Sequence, residues 1–163
     1  MNNNFKNCEK NISLFEIEQI ENNFKYKFTN DFIEHYLQFN GGIPLKSWYY
    51  INDDIEPLEI AKFKSIKHYN LILDSSTSLI DNCYYYMIEK KVIPQNIIPF
   101  AIDWGGNFFC INQDDNSVLF YAVDPFNDEL TLEENYKNAQ LYLAPSFDIF
   151  INNLMSEDEI DAL

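Results

Sequence analysis

The chain has 163 residues, a length that suits one domain of ordinary size, and 47% of them are hydrophobic, enough for a packed core. Its net charge at pH 7 is −15, and all 11 of its basic residues are lysine. Because such a chain repels polyanions and lacks the planar Arg side chain that usually binds phosphate, we do not expect it to bind nucleic acid.

The sequence also argues against a membrane, a secretory or a metal-binding protein. No hydrophobic run approaches the roughly 18 residues that cross a bilayer, and the amino terminus has no hydrophobic signal segment. Cys8, Cys83 and Cys110 are odd in number and widely spaced, which fits neither a disulfide framework nor a zinc site. We expect a cytoplasmic protein without metal or cofactor.

Charge is distributed unevenly along the chain. Residues 92–163 contain one Lys against 13 acidic residues, whereas residues 62–91 contain five Lys against three acidic residues. A surface of one sign can steer an oppositely charged partner and speed association. The alternative is that the acidic residues serve only solubility.

Two helices are predicted near the amino terminus. Ser13 and Glu16 have the spacing of a capping box, and four apolar residues then recur at helical spacing: Leu14, Ile17, Ile20 and Phe24. Thr29 is expected to cap a second helix that ends at the Asn-Gly-Gly sequence of residues 40–42, where glycine can adopt the left-handed conformation.

The middle of the chain has weaker signals. We predict short strands and loops over residues 43–63, and then a strand with a basic face over residues 62–70. Ser76 or Thr77 is expected to cap a helix that runs to about Lys90.

An antiparallel meander is predicted next. Residues 97–102, 108–111 and 118–123 are apolar runs, separated by a Gly-Gly turn at 103–107 and a polar loop at 113–117. We expect Gly105 or Gly106 to have a positive φ, because adjacent glycines between strands favour a turn that other residues cannot adopt. The last predicted helix is capped by Ser146, and its apolar side chains recur at i, i+3, i+4 and i+7: Phe147, Phe150, Ile151 and Leu154.

Helices at both ends with strands between them predict an α+β fold, with a mainly antiparallel central sheet flanked by amino-terminal and carboxy-terminal helices. We expect one domain over residues 1–163, with residues 1–11 and 156–163 frayed.

Motifs for catalysis are absent. The sequence has no nucleophile elbow, phosphate-binding loop or HExxH motif. His35 is expected on a helix surface or partly buried with its hydrogen bonds satisfied, and His68 is treated in the same way. Residues 112–123 resemble a calcium loop but lack Gly at its sixth position and Glu at its twelfth. Cys110 lies in an apolar strand, so we predict a buried, unreactive thiol.

Acidic residues at predicted turns and strand ends are the candidate partner-binding site, with Trp104 as an apolar anchor, since Trp is common among interface hot spots. The candidate residues are Asp103, Trp104, Asp114, Asp115, Asp124, Asp128 and Glu129. The alternative for Trp104 is a place in the core.

Three blocks in order carry a family resemblance. Residues 17–42 have the pattern of two helices ending in Asn-Gly-Gly, residues 98–111 run from a Pro-bearing strand through a Gly-bearing turn into an apolar strand, and residues 143–154 have the pattern of a closing helix. Together they resemble the SUKH superfamily, named in part for a yeast cell-wall assembly regulator and abundant in bacteria as immunity proteins. Asn107 departs from that pattern, in which an acid is common, and residues 112–114 lack its usual Leu-Asp pair.

The resemblance implies a protein-binding platform without shared catalytic residues. Our first hypothesis is an immunity protein that binds and neutralises a cognate bacterial polymorphic or contact-dependent toxin, of a basic nuclease type. The alternative is a regulatory or scaffold module that binds protein without a toxin partner. A third class, an enzyme or small-ligand carrier, is disfavoured by the motif search, although a fold alone does not fix function.

Overall fold

The described part of the chain contains ten strands and six α-helices, most of them short. The computed structural model describes residues 3–124 and 126–163. The strands are Phe5–Lys6 (β1), Ile43–Pro44 (β2), Trp48–Tyr49 (β3), Leu58–Glu59 (β4), Lys62–Phe63 (β5), Ile97–Ile102 (β6), Phe108–Asn112 (β7), Val118–Tyr121 (β8), Gln140–Ala144 (β9) and Leu154–Met155 (β10). The helices are Leu14–Phe24 (α1), Asn30–Gln38 (α2), Ile80–Glu89 (α3), Leu132–Asn138 (α4), Phe147–Asn152 (α5) and Glu157–Asp161 (α6).

A five-stranded antiparallel sheet in the order β5-β6-β7-β8-β9 forms the centre of the fold. Strands β10, β3 and β4 form a second sheet, and β1 pairs with β2. All these strand pairs are antiparallel. The predicted α+β class and the predicted meander are confirmed.

The core is dominated by aromatic side chains from α2, α5 and β6. Phe32 of α2 and Phe100 of β6 both contact Phe147 of α5, with ring centroids 5.0 and 5.4 Å apart. Tyr36 is fully buried, and its hydroxyl donates to the Lys64 carbonyl at 2.9 Å. Because complete burial of one such apolar side chain contributes about 1.5–3 kcal/mol, this cluster fixes both helices against the sheet.

The two predicted amino-terminal helices are present, but the glycine pair has a different role from the predicted one. The capping box of Ser13 and Glu16 starts α1, and Thr29 precedes α2. Helix α2 ends at Gln38, before the glycines, and Phe39 is extended. Gly42 has φ +95°, and a Cβ there would lie 2.7 Å from Cys8 Sγ. The glycine therefore permits a close approach of the amino-terminal segment.

Two predictions for the middle of the chain are corrected. The strand predicted over residues 62–70 is only β5, because the chain turns away and Lys67 adopts φ +65°. The helix predicted to start after Ser76 or Thr77 is preceded by a 3₁₀ turn at Ser76–Ser78 and begins at Ile80.

The carboxy-terminal helix is shorter than predicted. The Ser146 hydroxyl accepts a hydrogen bond from Ile149 N, as expected for a cap, but α5 ends at Asn152. Leu154 lies instead in β10 opposite Tyr49 and is buried. The chain therefore forms the short strand β10 where a last turn of helix was predicted.

The two ends of the chain contain regular secondary structure where we predicted fraying. Phe5 of β1 pairs with Pro44, and α6 begins with a capping box of Ser156 and Glu159. Lys46 forms an ion pair with Glu159 at 2.9 Å. Among the described residues, no helix has the length and hydrophobicity that a membrane crossing requires.

Candidate protein-binding surface

One end of the central sheet collects most of the predicted site residues. Ile102 lies opposite Phe108, Phe108 opposite Tyr121, and Tyr121 opposite Gln140. The turn after β6, the end of β8 and the chain leading into β9 therefore meet at this end. We call it the acidic end, and its polar and aromatic surface residues are Asp103, Trp104, Asp124, Asp128, Glu129, Glu133 and Glu134.

Asp103 organises the turn between β6 and β7. Its Oδ1 accepts hydrogen bonds from Gly105 N at 2.9 Å and Asn107 N at 2.8 Å, and its Oδ2 accepts from Asn107 Nδ2 at 2.8 Å. Such bonds from an Asp side chain to the following backbone are typical of turns. The Asp103 carboxylate adds to the local negative charge, but both of its oxygens already accept hydrogen bonds from within the turn.

The same turn exposes Trp104. Gly106 has φ +85°, so the predicted positive φ in the glycine pair is confirmed at this residue. The Trp104 side chain is 75% exposed, which decides against its place in the core. A large aromatic residue thus protrudes from a turn that several hydrogen bonds hold in shape.

Asn107 joins this turn to the end of β8. Its Nδ2 donates to Asp103, and its Oδ1 accepts from Val123 N at 2.8 Å. One side-chain amide therefore fixes the position of the Trp104 turn relative to Asp124, the residue after Val123.

The segment between β8 and α4 is also held by side-chain amides. Asn135 Oδ1 accepts from Asn127 N at 2.8 Å, and Asn135 Nδ2 donates to the carbonyls of Asn127 and Thr131, each at 3.0 Å. Thr131 caps α4 in a capping box with Glu134, and the bonds from Thr131 lower the pKa of the Glu134 carboxyl. Asp128 and Glu129 lie on this loop, whereas Pro125 falls outside the described residues.

Four carboxylates of the acidic end remain available to a partner. Their side chains are exposed and make no side-chain hydrogen bond to other described residues: Asp124, Asp128, Glu129 and Glu133. Exposed carboxylates of this kind can attract a basic surface without first breaking internal hydrogen bonds.

Asp114 and Asp115 lie at the opposite end of the sheet. They belong to the loop between β7 and β8, separated from the acidic end by the length of β7, about 17 Å for five residues of strand. Asp115 accepts from Ser117 N at 2.9 Å and Ser117 Oγ at 2.6 Å, and these bonds lower the pKa of its carboxyl. The seven predicted site residues therefore do not form one continuous surface.

Two potentially reactive side chains, Cys110 and His35, are inaccessible in the core, whereas Cys8 is exposed and His68 is partly buried. Cys110 is fully buried, as predicted, and desolvation raises the pKa of its thiol well above the usual value. His35 is also fully buried, and neither of its ring nitrogens has a hydrogen-bond partner among the described residues. The expectation that His35 is a surface or satisfied residue is wrong, because its side chain is packed among aromatic rings that offer its nitrogens no hydrogen bond.

Comparison with protein families identifies the chain. The model of the SMI1 / KNR4 family (SUKH-1) matches residues 11–153. The chain belongs to this family. A direct search of curated proteins finds no matching sequence.

Membership in SUKH-1 narrows the functional classes. The three sequence blocks that resembled the SUKH superfamily all lie within or at the edge of the matched region. Members are generally non-catalytic immunity or regulatory proteins, so the family fits an immunity role or a role like that of SMI1/KNR4.

The structure also accounts for one departure from the SUKH pattern. Asn107 stands where the family commonly has an acid, and here the amide donates to Asp103 while it accepts from Val123. A carboxylate at residue 107 could still accept from Val123 N. It could not donate to Asp103, and the two negative groups would repel each other.

Two surface features of this SUKH-1 chain were missed by the sequence analysis. Helix α4, which carries Glu133 and Glu134, was missed because the capping-box spacing of Thr131 and Glu134 was not recognised, although it was visible in the sequence. The second feature is an exposed hydrophobic run, Leu71, Ile72 and Leu73, which looks in the sequence like an ordinary buried segment.

Proposed function

We propose that this SUKH-1 chain is an immunity protein that binds and neutralises a cognate bacterial polymorphic or contact-dependent toxin in the cytoplasm, without catalysis or a cofactor. We further propose that the toxin is a basic protein of the nuclease type. The observation that carries the proposal is the exposed Trp104 beside the available carboxylates of the acidic end.

Electrostatics supports a basic partner. A nuclease must attract a polyanion and therefore carries a positively charged surface. The acidic end presents negative charge to such a surface, and the protein as a whole carries −15. A SUKH-1 chain bound there would occupy the region that the nucleic acid needs, so neutralisation requires no chemistry on the toxin.

Co-expression with a candidate toxin tests the proposal, and the candidate to choose is a toxin domain encoded in a neighbouring gene. The wild-type chain should restore growth of cells that express the toxin. The variant Asp124→Asn/Asp128→Asn/Glu129→Gln should restore growth less well at equal folded abundance, because three available charges at the acidic end are removed.

A matched control variant separates position from total charge. Glu18→Gln/Glu56→Gln/Glu89→Gln also removes three exposed carboxylates that make no side-chain hydrogen bond within the described residues. It should protect as well as the wild type. Equal loss of protection in both variants would mean that only the net charge matters, which would contradict a site at the acidic end.

The apolar anchor has a separate test. Trp104→Ala should leave the free energy of unfolding almost unchanged, because the side chain is 75% exposed. It should increase the dissociation rate of the toxin complex, since anchors act mainly after encounter. If the wild-type chain binds no toxin and restores no growth, the immunity role is wrong. The regulatory or scaffold role then remains as the function that fits SUKH-1 membership.

A further inference from the structure

The exposed hydrophobic run is concentrated in one loop. Leu71, Ile72 and Leu73 are 78%, 92% and 80% exposed, and these are the three most exposed large hydrophobic side chains of the described residues. Single exposed aliphatic residues are common and need no explanation, but a continuous exposed patch is typical of an interaction site.

This loop is held in a defined shape. Asn70 Oδ1 accepts from Ile72 N at 3.0 Å and Leu73 N at 3.1 Å, and Asp74 N donates to the Asn70 carbonyl at 2.9 Å. The Asp74 carboxylate in turn pairs with Lys62 Nζ at 2.8 Å. A preformed loop loses little conformational entropy on binding. These hydrogen bonds therefore lower the entropic cost of docking the loop onto a partner.

The surroundings of the loop are partly apolar, and Glu9 adds a negative charge to the wall of the cleft beside Leu73. The Lys62–Asp74 pair cancels its own charge. Leu73 borders an open cleft of about 450 Å³ whose wall includes Ile43 and Cys8. The loop therefore offers a convex apolar tip with a shallow recess beside it, which a concave apolar pocket would complement.

Charge decides among the possible occupants. A second copy of this chain also carries −15, and an anionic bilayer carries the same sign, so both are repelled at long range. A basic protein is attracted. Lys62 lies opposite Ile102, the residue before Asp103, so the loop is anchored at the sheet end that carries the Trp104 turn.

We propose that Leu71, Ile72 and Leu73 form a second contact with the toxin, inserting into an apolar pocket beside its basic surface. This inference rests on the proposed function. In this arrangement the acidic end governs the rate of encounter, whereas the loop governs how long the complex lasts.

Surface plasmon resonance with the purified toxin domain tests the loop. Leu71→Ser/Ile72→Ser should raise the dissociation rate tenfold or more, because two aliphatic side chains lose their burial in the complex. The salt dependence of association should match that of the wild type. The control Phe15→Ser/Leu163→Ser removes two exposed hydrophobic side chains elsewhere, 66% and 69% exposed, and should dissociate like the wild type.

The outcomes separate the two proposals. Toxin binding by the wild type together with equal dissociation of Leu71→Ser/Ile72→Ser overturns the loop contact alone. No toxin binding by the wild type overturns the immunity function and this inference with it. Loop-dependent binding to vesicles of anionic phospholipid, or loop-dependent dimers in analytical ultracentrifugation, would replace the toxin by a membrane or a second copy and would also overturn it.

Discussion

The side chain of His35 lies within a cage of aromatic rings. The rings of Phe5, Phe39, Phe63 and Phe147 have centroids 4.8–5.7 Å from that of the imidazole. No charged group among the described residues stabilises a proton there, and desolvation lowers the pKa of His35 from 6.5 to about 3. The imidazole is therefore neutral in the folded protein at all pH values near physiological.

This burial predicts a loss of stability in mild acid. Because the folded-state pKa lies below the unfolded value, only the unfolded chain gains the proton between about pH 6.5 and pH 3, and the free energy of unfolding falls as the pH falls through that window. From pH 7 to pH 5 the loss attributable to His35 is about 2 kcal/mol. Urea unfolding measures it, and His35→Leu should remove this component. An unchanged pH dependence in the variant would contradict a buried neutral imidazole.

Gly106 is a second residue whose conformation makes a prediction. Its φ of +85° strains any side chain, although a Cβ would meet no atom within 4 Å. Gly106→Val should lower the free energy of unfolding by about 2 kcal/mol, and Gly106→Asn by clearly less, since Asn tolerates this region better. Thermal unfolding compares them. Equal losses for both variants would contradict the backbone angle as the cause.

At the scale of elements, helix α4 depends on its cap. Thr131 Oγ1 accepts from Glu134 N at 3.2 Å, whereas Thr29, the N-cap of α2, makes no side-chain cap bond. Thr131→Ala should cost about 1 kcal/mol and Thr29→Ala less, as measured by urea unfolding. If Thr29→Ala costs as much as Thr131→Ala, the capping bond does not explain the stability of α4.

Elements with several turns or long apolar runs were predictable from the sequence. The capping box of Ser13 and the runs that became β6, β7 and β8 carry local signals of sufficient length. Two-residue strands such as β3 and β10 do not, because an alternating pattern needs more residues than they contain. Leu154 fits a helix by spacing, yet its pairing with Tyr49 in β3 depends on a contact distant in sequence.

The candidate site was predictable residue by residue but not as a surface. Turn chemistry correctly placed Asp103 and Asp114 in turns. Successive turns of a meander lie at alternate ends of the sheet, so Asp114 and Asp115 are separated from Trp104 by the strand length. The exposure of Ile72 could not be predicted, because an isolated apolar run looks the same whether buried or exposed.

For the whole molecule, the central claim is that negative charge at the acidic end, and not net charge alone, speeds association with a basic partner. Residues 92–163 supply a net −12, and the fold brings Asp124, Asp128 and Glu129 to the sheet end that exposes Trp104. Steering of this kind raises association rates by about 10–10³ and weakens as salt screens the field.

The association rate of the toxin complex, followed by stopped-flow fluorescence between about 0.1 and 1 M salt, tests that claim most directly. We predict that the wild-type rate falls at least tenfold over this range, and that Asp124→Asn/Asp128→Asn/Glu129→Gln associates about tenfold more slowly at low salt with a flatter salt dependence. Glu18→Gln/Glu56→Gln/Glu89→Gln, with the same net charge, should behave like the wild type. A wild-type rate that ignores salt, or two variants that slow association equally, would contradict the claim.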